Sequence, residues 1–185
     1  MDLFAERGYA ATTVAEIERA AGLTPRASGM YRHFASKQAV LEAGLADQVA
    51  ALESLHAIDE GQLDDLDLRE WLTLLGRVGI AQLAEQRALI RILYRDLDPF
   101  PELVESLTED LVRAGYRDFA ARLAARQRAG AVRADLDVDA AAAVALGAVV
   151  NRAVLAAMLG EAPAGVDDER FLATWVESVA RMVEP

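Results

Sequence analysis

The chain has 185 residues, 54% of them hydrophobic and 26% charged, with five prolines and no cysteine; at this length folding buries roughly 70% of the surface without a metal or disulfide staple, and disorder as the main state is excluded. The lack of cysteine removes thiol nucleophiles, disulfide frameworks and thiolate metal sites, and it fits a reducing cytoplasm, the expected location. A formal charge of −11 argues against nucleic acid until its distribution is considered: residues 1–46 hold five basic and five acidic groups, residues 47–185 carry the whole excess, and no acid stands between Arg19 and Leu41.

The first ten residues mix Asp2, Glu6 and Arg7 with apolar positions and lack a signal peptide's long apolar stretch. Thr13 with Glu16 forms a capping box, and Gly22 stops the helix that the box opens. Thr24 before Pro25 reads as an N-cap with proline at the first helical position, and Ser36 caps the next helix. Leu41, Leu45, Val49 and Leu52 follow as one apolar stripe. The acidic stretch Asp59–Asp65 reads as a loop. Asp67 with Glu70 caps a helix carrying Trp71, Leu74, Leu75 and Val78, and Arg87–Leu97 reads as a short helix stopped by Pro99 and Pro101. A long helix is expected from about Pro101 to Ala129, with Leu103, Leu107, Leu111, Phe119 and Leu123 inward and Gly130 at its end. Asp137 or Asp139 caps an alanine-rich helix to Leu159, and Asp167 or Asp168 caps the last, whose inward positions are Leu172, Trp175, Val179 and Met182. No run alternates as a strand does. The expected fold class is all-α, with about nine helices: three short ones, then six mostly longer ones.

Ala140–Leu159 has only Asn151 and Arg152 as polar residues and calls for a membrane test. Arg near a bilayer centre costs roughly 2.5 kcal/mol or more, which alanine does little to offset. A soluble helix buried on several sides is expected, with no membrane partner.

Residues 3–37 are the informative segment. They read as a helix ending at Gly22, a turn of about three residues and a second helix of about ten, the layout of a helix-turn-helix. The tight crossing needs small residues, which Ala20, Ala21 and Gly22 supply. At roughly 100° per residue, Ala27, Met30 and Phe34 share the inward face of the second helix. Ser28, Gly29 and Arg32 then point outward with Arg26, Tyr31 and His33 on the flanks, a small, polar and cationic surface suited to a major groove.

The segments Phe4-Ala-Glu-Arg-Gly-Tyr9, Thr12-Thr13-Val14, Ala20-Ala21-Gly22 and Met30-Tyr31-Arg32-His33-Phe34 followed by Ser36-Lys37 resemble the tetracycline-repressor (TetR) family of bacterial transcriptional regulators. The resemblance covers about residues 3–46. It implies a helix-turn-helix DNA-binding domain over 1–46 and a helical ligand-binding and dimerisation domain over 47–185. It further implies that Tyr31, Lys37 and the Thr12–Thr13 helix start contact phosphates and that the face around Arg26, Ser28 and Gly29 reads bases, with His33 beside it. Two departures stand out. Gly22 and Tyr31 are about two residues further apart than the family pattern, and the chain begins inside what should be the first helix, so a trimmed start or a lower DNA affinity is expected.

Other constellations fail. Asp135, Asp137 and Asp139 imitate a calcium loop, but its sixth position is Ala140 and its twelfth Leu146. His33 and His56 are the only histidines and stand far apart, so neither a metal nor any other cofactor is expected. Phosphate-cradling loops, nucleophile elbows and dinucleotide fingerprints are absent, and an enzyme has no positive support. The expected function is a ligand-responsive regulator, a repressor released from an inverted-repeat DNA operator by a small molecule. The competing reading is a helical adaptor that keeps the helix-turn-helix shell without binding DNA. A homodimer is expected through the last two long helices, because the Asp139–Leu159 helix is apolar nearly all round. For the small-molecule effector, Trp71, Tyr94, Tyr116 and Phe119 offer apolar walls, and Arg91, Arg95, Asn151 and Arg152 offer polar contacts. Asn151 and Arg152 lead this set, since a polar pair in an apolar helix is costly unless something satisfies it.

Overall fold

Side-chain caps set most element boundaries in the computed structural model, which describes residues 1–25, 29–55, 66–96 and 99–185. The first unit comprises α1 (Asp2–Arg7), α2 (Val14–Ala20), a 3-10 turn (Met30–Arg32) and α3 (Lys37–Leu55). Thr13 accepts the Glu16 N–H while the Glu16 carboxylate accepts the Thr13 N–H, the reciprocal box that the sequence predicts. At the other end of α2, Gly22 takes φ +73°, and the N–H groups of Gly22 and Leu23 reach back to Arg19 and Glu18. The left-handed turn satisfies the last carbonyls and needs a residue without Cβ. Ser36 accepts the Ala39 N–H at 3.1 Å and opens α3.

The second unit comprises α4 (Leu68–Glu85), α5 (Arg87–Arg95), α6 (Pro101–Leu107), α7 (Ala114–Arg128), α8 (Val138–Leu159) and α9 (Asp168–Val183). Asp67, Asp137 and Asp167 cap α4, α8 and α9 through the N–H groups of Glu70, Ala140 and Arg170. No strand occurs among the described residues.

Two expectations are corrected. The helix after Thr24–Pro25 is represented among the described residues only by the 3-10 turn Met30–Arg32; Arg26, Ala27 and Ser28 lie outside them, as do the Asp59–Asp65 stretch and Leu97. The long helix from Pro101 is interrupted by a π-helical stretch, Thr108–Arg113, between α6 and α7. An i→i+5 turn shifts the phase of the helix, and the inward residues on its two sides serve different cores: Leu107 packs in the smaller of two apolar clusters, Phe119 and Leu123 in the larger.

Two apolar clusters hold the fold. The larger joins Trp71 and Leu72 of α4, Phe119 and Leu123 of α7, the Ala141, Ala142, Ala145 and Val149 face of α8, and Leu172, Trp175 and Val179 of α9. Helices α4 and α9 approach closely because position 76 is glycine: a Cβ there would stand 2.6 Å from Leu172 Cδ1 and 2.8 Å from Trp175 Cζ3. Trp175 also donates its indole N–H to Ala145 O at 2.8 Å. The smaller cluster packs Phe4, Leu41 and Leu45 against Leu89, Ile92 and Leu107, so apolar burial runs across residue 46 rather than stopping there.

Helix α8 is long and apolar enough to cross a membrane, with mean hydropathy 1.9. In the fold it buries one face against the larger cluster. Ala140, Val144, Ala148, Asn151, Met158 and Leu159 remain exposed, Val144 at 63%.

Candidate DNA-binding surface and effector cavity

The DNA-facing residues expected in the first unit divide into exposed and internal ones. Thr13, Tyr31, Arg32 and His33 are exposed, Tyr31 at 56%. Gly29 is half-buried, and a Cβ there would come within 3.2 Å of Leu23 Cδ1. Thr12 is different: it is 1% exposed, and its hydroxyl donates to Gly8 O at 2.7 Å and Leu3 O at 3.2 Å. That hydroxyl is spent inside the turn between α1 and α2. Arg26 and Ser28 lie outside the described residues.

Lys37 joins the parts of this unit. Its ammonium donates to Tyr9 O at 2.7 Å and Thr12 O at 2.9 Å and lies 4.2 Å from the centroid of the Tyr9 ring. Tyr9 in turn stacks on Phe4 at 5.8 Å and meets Phe100 edge-on at 4.9 Å. Burial, with the negative charge of Glu42 second, pushes the Tyr9 hydroxyl above its usual pKa. Sequence reasoning missed Tyr9 as a support of Lys37, and it missed Glu18. This carboxylate is buried and accepts the Met30 N–H at 3.3 Å, which fixes the 3-10 turn on α2. Helical periodicity marks an acid as solvent-facing and gives no sign that a backbone donor twelve residues on needs an acceptor.

The eight residues expected around an effector do not form one site. Trp71 and Phe119 stack at 5.6 Å inside the larger core, with the Arg126 guanidinium 4.6 Å over the indole. Tyr116 is half-buried, with its hydroxyl toward Gly147. Arg91 is half-buried and Tyr94 is exposed. Arg95 serves the first unit: one nitrogen donates to Phe4 O at 2.7 Å and Ala5 O at 3.0 Å, and the guanidinium pairs with Asp96. Asn151 is exposed on α8. Arg152 donates to Val166 O at 2.9 Å and Asp168 Oδ1 at 2.6 Å and lies over the Phe171 ring, so the protein supplies the partners that its place in an apolar helix demands.

Several spaces in the second unit can take a small molecule; one is a surface hollow of about 440 Å³ that brings Asn151 and Arg152 together beside Phe171, and two others border Val149. An inner cavity of about 150 Å³ lies between α4, α7, α8 and α9, with Leu75, Val78, Phe119, Leu146 and Trp175 as apolar walls and Gln82, Asp118 and Arg122 as its polar groups. Gly79 and Gly115 border it, and a Cβ at Gly115 would meet nothing within 4 Å. Glycine inside a helix costs roughly 1 kcal/mol relative to alanine, so such positions are the available sequence signal for a void or a close approach. A second cleft, of about 220 Å³, lies on the other side of Val149 and includes Arg87, Arg152 and Asp168. Among the described residues no group of His, Asp and Glu could hold a metal ion.

Comparison with known proteins agrees with this arrangement. Residues 1–43 match the family described as "Bacterial regulatory proteins, tetR family", and residues 74–184 match "AefR-like transcriptional repressor, C-terminal domain". The fold is similar to a TetR-family regulator from Mesorhizobium loti, with TM-score 0.73 and 19% identity over 100% of this chain and 92% of that one. It is similar to a tetR-family regulatory protein from Rhodococcus RHA1, with TM-score 0.69 and 24% identity over 99% and 92%. It is also similar to the regulator FadR of Bacillus subtilis, solved with stearoyl-CoA, with TM-score 0.68 and 17% identity over 96% and 92%. No curated protein matches the chain. The C-terminal match alone spans more than half of the residues, and with the helix-turn-helix match before it the chain belongs to the TetR family of transcriptional regulators, which are DNA-binding proteins rather than enzymes.

Proposed function

We propose that this regulator is a homodimeric, cytoplasmic repressor that leaves an inverted-repeat operator when a small molecule binds its second unit. The observation that carries the proposal is the direct tie between the two units. Arg95, at the end of α5, holds the last carbonyls of α1, and Leu89 and Ile92 of the same helix share a core with Phe4, Leu41 and Leu45. A ligand that shifts α5 by binding among its neighbours therefore moves the DNA-facing unit. A coupling of roughly 1–3 kcal/mol changes operator affinity about 5- to 150-fold.

Further support comes from the surfaces. Tyr31, Arg32 and His33 present donors outward for phosphates and bases, while the Thr13 hydroxyl and N–H both donate to Glu16 in the capping box; Lys37 stands at their base, with Arg26, Ser28 and Gly29 as the base-reading positions that the sequence pattern suggests. The exposed Val144 stripe of α8 offers a second copy a small-residue apolar face, and α8 with α9 from two chains makes a four-helix bundle. The stearoyl-CoA complex of the Bacillus subtilis protein supports a ligand held in a body of this fold. Recovery of bound sequences from a random duplex pool tests the proposal. An inverted repeat with half-site centres about 34–36 Å apart is expected, and a pool left unenriched by the purified protein contradicts it.

A further inference from the structure

Helix α8 presents two separate faces. At roughly 100° per residue, Val149, Ala153 and Ala156 point away from the exposed Val144–Ala148–Asn151 stripe, and Arg152 stands at the border between the two, since it also lines a surface hollow with Ala148 and Asn151. With Ile80, Leu83 and Ala84 of α4, Arg87 of α5, Ala157, Ala162 and Asp168, Val149, Arg152, Ala153 and Ala156 enclose the cleft of about 220 Å³.

The cleft is divided by chemistry. Ile80, Leu83, Val149, Ala153 and Ala156 make an apolar floor, and Arg87, Arg152 and Asp168 carry its only charges. Arg152 is held in place by Val166 O, Asp168 and the Phe171 ring. Arg87 is exposed and makes no ion pair with a described residue. Two guanidiniums against one carboxylate leave a surplus positive charge, in a chain whose net charge is −11. A cationic ligand would find the one carboxylate already paired. An anionic one finds an unpaired, forked donor above apolar walls. At roughly 30 Å³ for a water-sized volume, the space takes about seven to eight heavy atoms.

We propose that this cleft binds a monocarboxylate with a short apolar tail of about five carbons, its carboxylate on Arg87 and Arg152 and its tail on the α4–α8 floor. The inference rests on the ligand-responsive reading and names the effector's chemical class.

Calorimetric titration of the full chain with hexanoate tests it, with hexan-1-ol and hexylamine as neutral and cationic comparisons. One saturable hexanoate site per chain is expected, with both comparison ligands at least about tenfold weaker. Arg87→Gln, a change at an exposed position, should weaken hexanoate about tenfold, whereas Arg133→Gln, which removes a charge elsewhere on the surface, should leave it unchanged. Ala156→Leu should fill the floor and abolish binding. No saturable binding, or equal affinity in wild type and Arg87→Gln, overturns the proposal. The same titration in the presence of operator DNA separates the two claims. A hexanoate site sensitive to Arg87→Gln with unchanged operator affinity keeps the site and removes its effector role, and a protein that selects no operator at all counts against the regulator reading alone.

Discussion

Lys37 spends two of its three N–H donors on the carbonyls of Tyr9 and Thr12, which leaves one for an external acceptor. It is therefore both a tie and a candidate phosphate contact. Lys37→Met should lower the stability measured in urea by about 1.5–3 kcal/mol, the range for hydrogen bonds to a charged group, and should reduce the salt slope of DNA binding by about one. A variant that loses stability but keeps the full slope would make Lys37 a tie only. Single residues show where the sequence was legible and where it was not. Composition and spacing mark Lys37 as a cation beside a helix-turn-helix, but Tyr9 beneath it is 28 residues away. The need for a partner at Arg152 was legible from its apolar helix; that Val166 and Asp168 meet the need depends on how the chain returns after Leu159. Arg95 reads as one more polar group near Tyr94, because nothing local says that α5 ends against α1.

Helix ends were the most legible elements. A cap needs only a side chain and the N–H two or three residues on, and the boxes at Thr13 and Asp67 form as the sequence implies. The 3-10 turn at Met30 and the π-helical stretch at Thr108 were not legible, since each depends on contacts from other elements. The caps also carry a pH signature. Hydrogen bonds from Thr13 hold the Glu16 carboxyl below its usual pKa, and those from Arg69 and Arg181 do the same for Glu177. A depressed folded-state pKa contributes stability above the unfolded value, and that contribution is lost as pH falls through the folded one. The melting temperature should hold steady above about pH 5 and fall below about pH 4, with a shallower fall in Glu16→Gln. An equal fall in that variant would remove the box from the account; Glu177 is exposed and Glu16 only half-buried, so each contribution is small. Packing between elements gives a larger effect. Gly76→Ala forces a Cβ into Leu172 and Trp175 and should cost about 1–3 kcal/mol in denaturant unfolding, whereas Gly115→Ala, which meets nothing, should not destabilise through a clash.

At the scale of the molecule, an all-helical chain with a small first unit was legible from periodicity and charge. The shared core of Phe4, Leu45, Leu89 and Leu107 was not, because long-range packing leaves no periodic trace. The second copy proposed for α8 gives a direct test. Val144 is exposed at the centre of an apolar stripe, so Val144→Glu should place a desolvated charge at the interface and shift the protein to monomer in sedimentation at micromolar concentration. An unchanged dimer would move the interface elsewhere. The central claim, a dimeric regulator that reads DNA through residues 1–46, is tested most directly by titrating wild type and Val144→Glu against a recovered inverted-repeat duplex and a scrambled one at fixed salt, followed by fluorescence anisotropy. Wild type should bind the inverted repeat at least about 10³-fold more tightly than the scrambled duplex, with two chains per site, and Val144→Glu should lose most of that preference. Equal affinity of the wild type for both duplexes would contradict the account.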